Sequence, residues 1–404
     1  MIIGGGGHGL AAAYYLGKDH GVTNVAVLEK GYIGGGNTGR NTAIVRSNYL
    51  TPEGVNFYDA SVKIYEGLSE ELDLNLFYST RGHFTLAHTE SALRTMRWRA
   101  EVNKHVGVDS RVVGPDEIKK ACPQIDISCS GQAPILGALY HGPGSIARHD
   151  GVAWGYARGA DGYGAEIYQN TEVLSIDVKN GKVCGVNTNK GYIETKQVLC
   201  AVAGFTPRIT EMVDLKTPIV IQPLQACVTE PMKPWLNQIL VSGSLHVYVS
   251  QSSRGELVMG SSLDPYEVHS SRSTLDFVEG LTAHMLDMFP FLSNVKIVRQ
   301  WGGNLTITPN WPQHAIIKYL HKPIDMRILE HIVPKLFSDL KMKELLIMPE
   351  LVRLTYMAKQ ADRGEYLIMR NAVYDNSPID KNTVEALIKQ AIEIRQTLER
   401  NTLE

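Results

Sequence analysis

The chain opens MIIGGGGHGLAAAYYL, four consecutive glycines behind three apolar residues and ahead of a small-residue helical run. An apolar strand that feeds a glycine turn and then a helix is the start of a βαβ unit, and VTNVAVLEK at 22–30 supplies the second strand. Gly4, Gly6 and Gly9 fit G-x-G-x-x-G. In that pattern glycine permits the tight turn, lets backbone approach a pyrophosphate and lets the helix pack close to the strand, while free N–H groups at the helix start face the phosphates. Glu29 closes the second strand, where a carboxylate accepts hydrogen bonds from the adenosine ribose. The unit therefore reads as dinucleotide-binding. A glycine-rich plain turn would need neither the flanking strands nor the acid.

The rest of the composition narrows the class. With 40 Lys+Arg against 42 Asp+Glu the formal net charge is −2, so no field of one sign argues for nucleic acid or a membrane surface. No apolar run approaches the ~20 residues of a membrane helix. Cys122, Cys129, Cys184, Cys200 and Cys227 include no C-x-x-C pair and no zinc spacing. That usage suits reduced thiols and a soluble, cytoplasmic protein working on small molecules.

ASVKIYEGLSEEL at 60–72 has helical amphipathicity. Between 165 and 206 the pattern is strand-rich, with hairpin signals at Asn180-Gly181 and Lys190-Gly191 and a buried strand expected in QVLCAVAG at 197–204. HVYVSQSSRGELVMGSS at 246–262 reads as another hairpin, and a helix is expected from about Thr274 to Met288. Beyond about Asn310 the sequence turns charged, helical and glycine-poor, which places a boundary at 310–325.

A second glycine-rich segment, KGYIGGGNTGRNTAIVR at 30–46, follows the second strand at once. A plain NAD fold does not require it. Its clustered N–H groups, with Asn37 and Thr38, suit the flavin end of an FAD, the alternative being a surface loop. Farther on, SIARHDGVAWGYARGA at 145–160 sets His149 between Arg148 and Asp150 at a helix start. Alone, it reads as a helix-start residue with a solvated ring.

IIGGGGHGLAAAYYL, NVAVLEKGYIGGGNTGRNTAIVRSNYL, ARHDGVAWGYARGA and RQWGGNLTITP together resemble the beta subunits of heterotetrameric sarcosine oxidases, within the D-amino-acid-oxidase-like flavoenzyme family, from residue 1 to about 310. The resemblance implies an α/β fold: a discontinuous Rossmann-like FAD-binding domain (1–90 and 145–215), a mixed-sheet substrate domain (91–144 and 216–310) and an atypical helical tail (311–404). It implies oxidation of a secondary amine, sarcosine foremost, in which a hydride equivalent leaves the N-methyl group for the flavin and the resulting imine yields glycine. It also implies a second flavin, FMN, bonded to His149, with Arg148 and Asp150 beside it to set the tautomer.

FAD would be held by Gly4, Gly6, Gly9, Glu29, Lys30, Asn37, Thr38, Gly39, Val173 and Gly204. Arg46 matches the arginine that takes the substrate carboxylate, an alternative being that it braces the flavin loop. Tyr248 falls where the family sets an aromatic over the flavin, with cross-strand packing the other reading. Trp301-Gly302-Gly303 resembles the approach to the active site, or forms a tight turn. The partners implied are alpha-, gamma- and delta-type subunits.

Two features depart from the family. The first strand is short, which predicts a weakly anchored glycine loop. After WGGNLTITP the glycine-rich turn and helix that face the flavin pyrimidine ring, with a substrate-binding lysine, are replaced by NWPQHAIIKYLHKPIDMRILEH. Alternatives are therefore another amine dehydrogenase of the family, or a flavin-binding subunit left inactive by the missing cap.

Overall fold

In the computed structural model, which describes residues 1–129, 133–264 and 266–307, the first strand is Ile2–Ile3. It is short, yet it is paired in parallel on both sides, with Ala26–Leu28 and with Leu199–Cys200. Glu166–Tyr168 completes this four-stranded parallel sheet. Two neighbours and the burial of Ile2, Ile3, Val27 and Leu28 anchor the glycine loop despite the strand's length. The segment 197–204 departs from expectation. Only Leu199–Cys200 is strand, and Leu199 is 44% exposed; among the described residues this strand is the sheet edge, paired on one side only.

The helices among the described residues are α1 (Gly7–His20), α2 (Pro52–Glu71), α3 (Glu90–His105), α4 (Pro115–Ala121), α5 (His149–Gly162), α6 (Thr206–Thr210) and α7 (Leu275–Met288). Three of them start on a threonine whose hydroxyl accepts a first-turn N–H: Thr51 from Gly54, Thr89 from Ala92 and Thr274 from Phe277. α1 and α5 share a core through Ala13, Ala153, Ala157 and Ala160, small residues that let the two helices lie close, together with the Tyr14 ring. The predicted hairpins form, Val173–Lys179 with Lys182–Thr188 and the latter with Gly191–Glu194. Asn180 and Gly181 both take positive φ, as a two-residue hairpin loop requires.

A second, eight-stranded mixed sheet runs in the order Ile297–Ile307, Val220–Thr229, Leu257–Leu263, Val247–Gln251, Ile239–Ser242, His83–Ala87, Gly137–His141, Ser110–Val113. Every pairing is antiparallel except that of Ile239–Ser242 with His83–Ala87. Its apolar face packs Phe84, Cys227, Leu240, Val249 and Met259 against Phe277, Leu281 and Met285 of α7. Ile44–Val45, Ser79–Thr80 and Ser145–Ile146 form a small sheet. The region Met1–Ile307 is one compact unit. The helical tail expected over 311–404 lies outside the described residues, as does the boundary region before it.

The second glycine loop ties to the last strand of the large sheet. Its 3-10 turn, Asn37–Arg40, exchanges two hydrogen bonds with the Asn304 backbone: Asn37 Nδ2 donates to the carbonyl (2.6 Å) and Oδ1 accepts from the N–H (3.0 Å). The Trp301 indole donates to the Arg40 carbonyl at 2.7 Å. Trp301-Gly302-Gly303 is thus mid-strand in the last strand of the large sheet, and the alternative reading of a tight turn is excluded. Asn37→Ala removes both side-chain bonds and is expected to cost about 1–3 kcal/mol of stability. Denaturant unfolding of variant and wild type measures it, and an unchanged midpoint would rule out this clamp.

Candidate active site

The two glycine loops are joined backbone to backbone and through one hydroxyl. Gly34 N–H donates to the Gly5 carbonyl (2.9 Å), and Gly7 N–H donates to Thr38 Oγ1 (2.9 Å). Gly4 sits at φ +112°, a conformation that L side chains rarely adopt, and donates to the Leu28 carbonyl at 2.8 Å. Gly6 is the N-cap of α1, a fourteen-residue helix with no acidic residue in its first turn. A Cβ on Gly5 would fall 2.8 Å from Glu29 Cβ, and one on Gly6 would fall 3.2 Å from Thr38 Oγ1. What faces the helix start is therefore bare backbone and a positive dipole end, which fits a diphosphate.

Glu29 holds the loops in register. One carboxylate oxygen accepts from Gly5 N–H (2.9 Å) and the other from Gly31 N–H (2.8 Å). Each oxygen keeps a further lone pair for a ribose hydroxyl. Val173 is buried with Ile3, Leu28 and Val186, at the carboxyl ends of the parallel strands where open α/β sheets bind ligands. Lys30 Nζ lies 4.1 Å from the Phe205 ring centroid. Gly204, buried next to Ile221, lines a cavity of about 310 Å³ with Arg208, Glu211 and His269.

His149 is the first residue of α5 and packs against the second glycine loop, hydrogen-bonded to the Gly39 backbone. Burial first, and then the Arg148 charge, lower its pKa, against Asp150 and the Gly39 contact. The imidazole is neutral near pH 7. Its Nδ1 is buried without a hydrogen-bond partner. Arg148 and Asp150 engage each other, through Nε–Oδ1 (2.8 Å) and Nη2–Oδ2 (2.9 Å), and Asp150 Oδ1 also accepts from Gly151 N–H. The ring is therefore oriented by Gly39, while its two neighbours form an ion pair.

Arg46 leaves the strand Ile44–Val45 half-buried. Its guanidinium lies 4.4 Å from the Tyr49 ring centroid and donates from Nη1 to Asn48 Oδ1 at 2.8 Å. Tyr248 stands opposite Gly260 on the neighbouring strand. A Cβ there would lie 1.9 Å from the phenol oxygen, so the ring occupies the space that glycine vacates. The hydroxyl bonds Thr42 of the second glycine loop, and burial pushes its pKa up to about 12, so it stays protonated.

Around Arg46 lies a group of residues that the sequence did not single out. Arg99 of α3 donates from Nη2 to the Asn48 carbonyl. His83 and His141 are directly opposed on adjacent strands, which puts them on the same sheet face. His141 Nε2 accepts from Ser47 N–H at 3.2 Å, and burial lowers its pKa to about 4. His83 is fully buried and held well below the usual histidine range by burial, then by Arg46, His141 and Arg99. These residues come from four elements and share no spacing. Arg99 in particular reads as one more polar position of a charged helix.

Among the described residues no cluster of His, Cys, Asp and Glu fits a metal ion, and no helix is long and apolar enough to cross a membrane. The family described as FAD dependent oxidoreductase matches residues 1–329. The chain is 42% identical over 308 residues to the sarcosine oxidase subunit beta of Rhodobacter capsulatus, covering 76% of this chain and 74% of that one. It is 44% identical over 308 residues to the protein of the same name from an Arthrobacter species, covering 76% of each. Among solved structures, L-proline dehydrogenase from P. horikoshii superposes with a TM-score of 0.69 at 27% identity, over 76% of this chain and 81% of the other. With the bare-backbone cradle and the Glu29 clasp, these matches establish that the chain belongs to the FAD dependent oxidoreductase family, alongside the sarcosine oxidase beta subunits.

Proposed function

We propose that the chain is the flavin-carrying, beta-type subunit of a hetero-oligomeric sarcosine oxidase, which oxidises the N-methyl group of sarcosine and leaves glycine. The observation that carries this reading is the 42–44% identity, over about three quarters of each chain, to proteins named sarcosine oxidase subunit beta. Bound FAD supplies the two-electron acceptor. The chain's own residues hold and orient: the Gly4–Gly9 turn and α1 take the diphosphate, Glu29 and Lys30 the adenosine end, and Thr38 and Gly39 the second loop. Arg46 takes the substrate carboxylate, and the protonated Tyr248 walls the site from the large sheet. The kinship to beta subunits supports alpha-, gamma- and delta-type partners, and five free thiols support a cytoplasmic setting.

The reading is tested by adding sarcosine anaerobically to the FAD-loaded protein and following flavin colour. Bleaching by sarcosine in preference to larger secondary amines supports it. Bleaching only by another amine moves the substrate elsewhere in the family, and no bleaching by any amine supports an inactive flavin-binding subunit.

Covalent FMN on His149 is the finer part of the proposal. It is supported by a neutral imidazole, hence a nucleophilic one, with one ring nitrogen unengaged and packed against the second glycine loop. Acid precipitation of the assembled protein separates the flavins. Colour should stay with the wild-type pellet and leave with the supernatant in His149→Ala. Full release from wild type would remove the covalent bond from the proposal and leave FAD untouched.

A further inference from the structure

We propose that Arg99 and Asn48 complete, with Arg46, a buried seat for the carboxylate of the amino-acid substrate, and that Arg99 is a specificity-determining residue for it. The inference rests on the reading that the chain oxidises a small amino acid held through Arg46. Both guanidiniums converge on one residue: Arg46 Nη1 donates to the Asn48 side-chain oxygen, and Arg99 Nη2 donates to the Asn48 backbone oxygen. Asn48 is fully buried. With its acceptors taken from either side, its amide Nδ2 is left without a partner.

Two more nitrogens in the same cluster are buried and unengaged, Arg99 Nε and His83 Nε2. Native proteins seldom leave one such group unmet, and here three belong to residues that contact or electrostatically feel Arg46. The charges acting on this group do not supply the missing acceptor. Arg99 feels Arg46, of like sign, and the Tyr49 hydroxyl; His83 feels Arg46, His141 and Arg99. Asp59 takes the Ser47 hydroxyl and Lys63. Burial and the Arg46 charge bring the Arg99 pKa down to about 10, so the group still carries its charge at neutral pH.

Two like charges and two unmet donors, Asn48 Nδ2 and Arg99 Nε, call for a small anion that only accepts hydrogen bonds. A carboxylate has two oxygens for such donors and cancels charge at the same stroke. A neutral amide or an amine would leave the repulsion in place. The seat follows the Ile44–Val45 strand, on the segment that continues the second glycine loop.

The test uses the FAD-loaded full chain with its partner subunits, and Arg99→Met and Arg99→Lys beside wild type. Acetate serves as a carboxylate without an amine, and dimethylamine as an amine without a carboxylate. Arg99→Met should raise the sarcosine KM and the acetate dissociation constant, read by calorimetry, by about tenfold or more, the loss expected for one charge-assisted contact. It should change kcat much less and leave dimethylamine oxidation as in wild type. Arg99→Lys, which keeps the charge and loses the fork, should recover part of the acetate affinity. If Arg99→Met does not fold, Arg99→Lys decides alone: a several-fold weaker acetate complex supports the seat, and unchanged acetate affinity overturns it.

An Arg99→Met protein with wild-type KM and acetate affinity would overturn the proposal, as would a wild type that oxidises sarcosine and ignores acetate. A wild type that oxidises dimethylamine as well as it does sarcosine would instead sink the underlying reading, before any variant is made.

Discussion

Gly9→Ala is expected to strip the protein of FAD. A Cβ at this position would stand 2.0 Å from the Gly4 carbonyl oxygen and 3.4 Å from Ala201 Cβ. The near contact is backbone, so no rotamer change relieves it. Nor can Gly4 readily retreat, since its N–H is bonded to the Leu28 carbonyl and its Cα packs so close to Ala201 that a Cβ there would lie 2.4 Å from the Ala201 carbonyl oxygen. The helix must therefore lift away from the turn, carrying its N–H groups off the diphosphate. Overpacking of this kind costs about 1–3 kcal/mol, which corresponds to roughly 5- to 150-fold in FAD affinity. Gly6→Ala gives the contrast: its Cβ meets only the Thr38 hydroxyl at 3.2 Å, and a smaller loss is expected. Bound FAD per protein after gel filtration, with circular dichroism to confirm the fold, measures both. Stoichiometric FAD in Gly9→Ala would mean that close helix-to-strand packing is not what the third glycine serves.

What the sequence disclosed were the features whose signals are local. The strand, turn, helix and acid of the first thirty residues, the Asn180-Gly181 turn and the Thr274-capped helix are each written within one window of a few residues, and each is present. The segment 197–204 misled because apolar content does not distinguish an edge strand of two residues from a buried one. For Trp301-Gly302-Gly303 the sequence left a sheet segment and a tight turn both open, because glycines suit either; Gly302 lies within a long strand and donates to the Ser271 carbonyl, and the indole reaches back to Arg40. The carboxylate seat was half-visible. Arg46 stood in a recognisable segment, but Arg99 joins it across fifty-one residues of chain, through a backbone carbonyl that has no sequence signature. Asn37 and Asn304, 267 residues apart, are invisible to spacing for the same reason.

Arg46→Met should lower kcat/KM for sarcosine by roughly a hundredfold or more, mostly through KM. Losing one member of a desolvated charge pair costs about 3–5 kcal/mol, because the other charge is left buried and unpaired. Methionine keeps the stem that packs beside Tyr49 and removes only the charge and the donors. Arg46→Lys should rescue poorly. Its ammonium is a point charge without the planar fork, and it cannot both lie on the Tyr49 ring, donate to Asn48 Oδ1 and present a second donor pair to a substrate. The same variant bears on the bracing role. If Arg46 only steadies the segment after the second glycine loop, FAD content falls while the KM of the remaining loaded enzyme stays at the wild-type value. If it binds the carboxylate, FAD content holds and KM rises. Steady-state kinetics corrected for bound FAD separate these outcomes, since the two roles act on different ligands of the same loop.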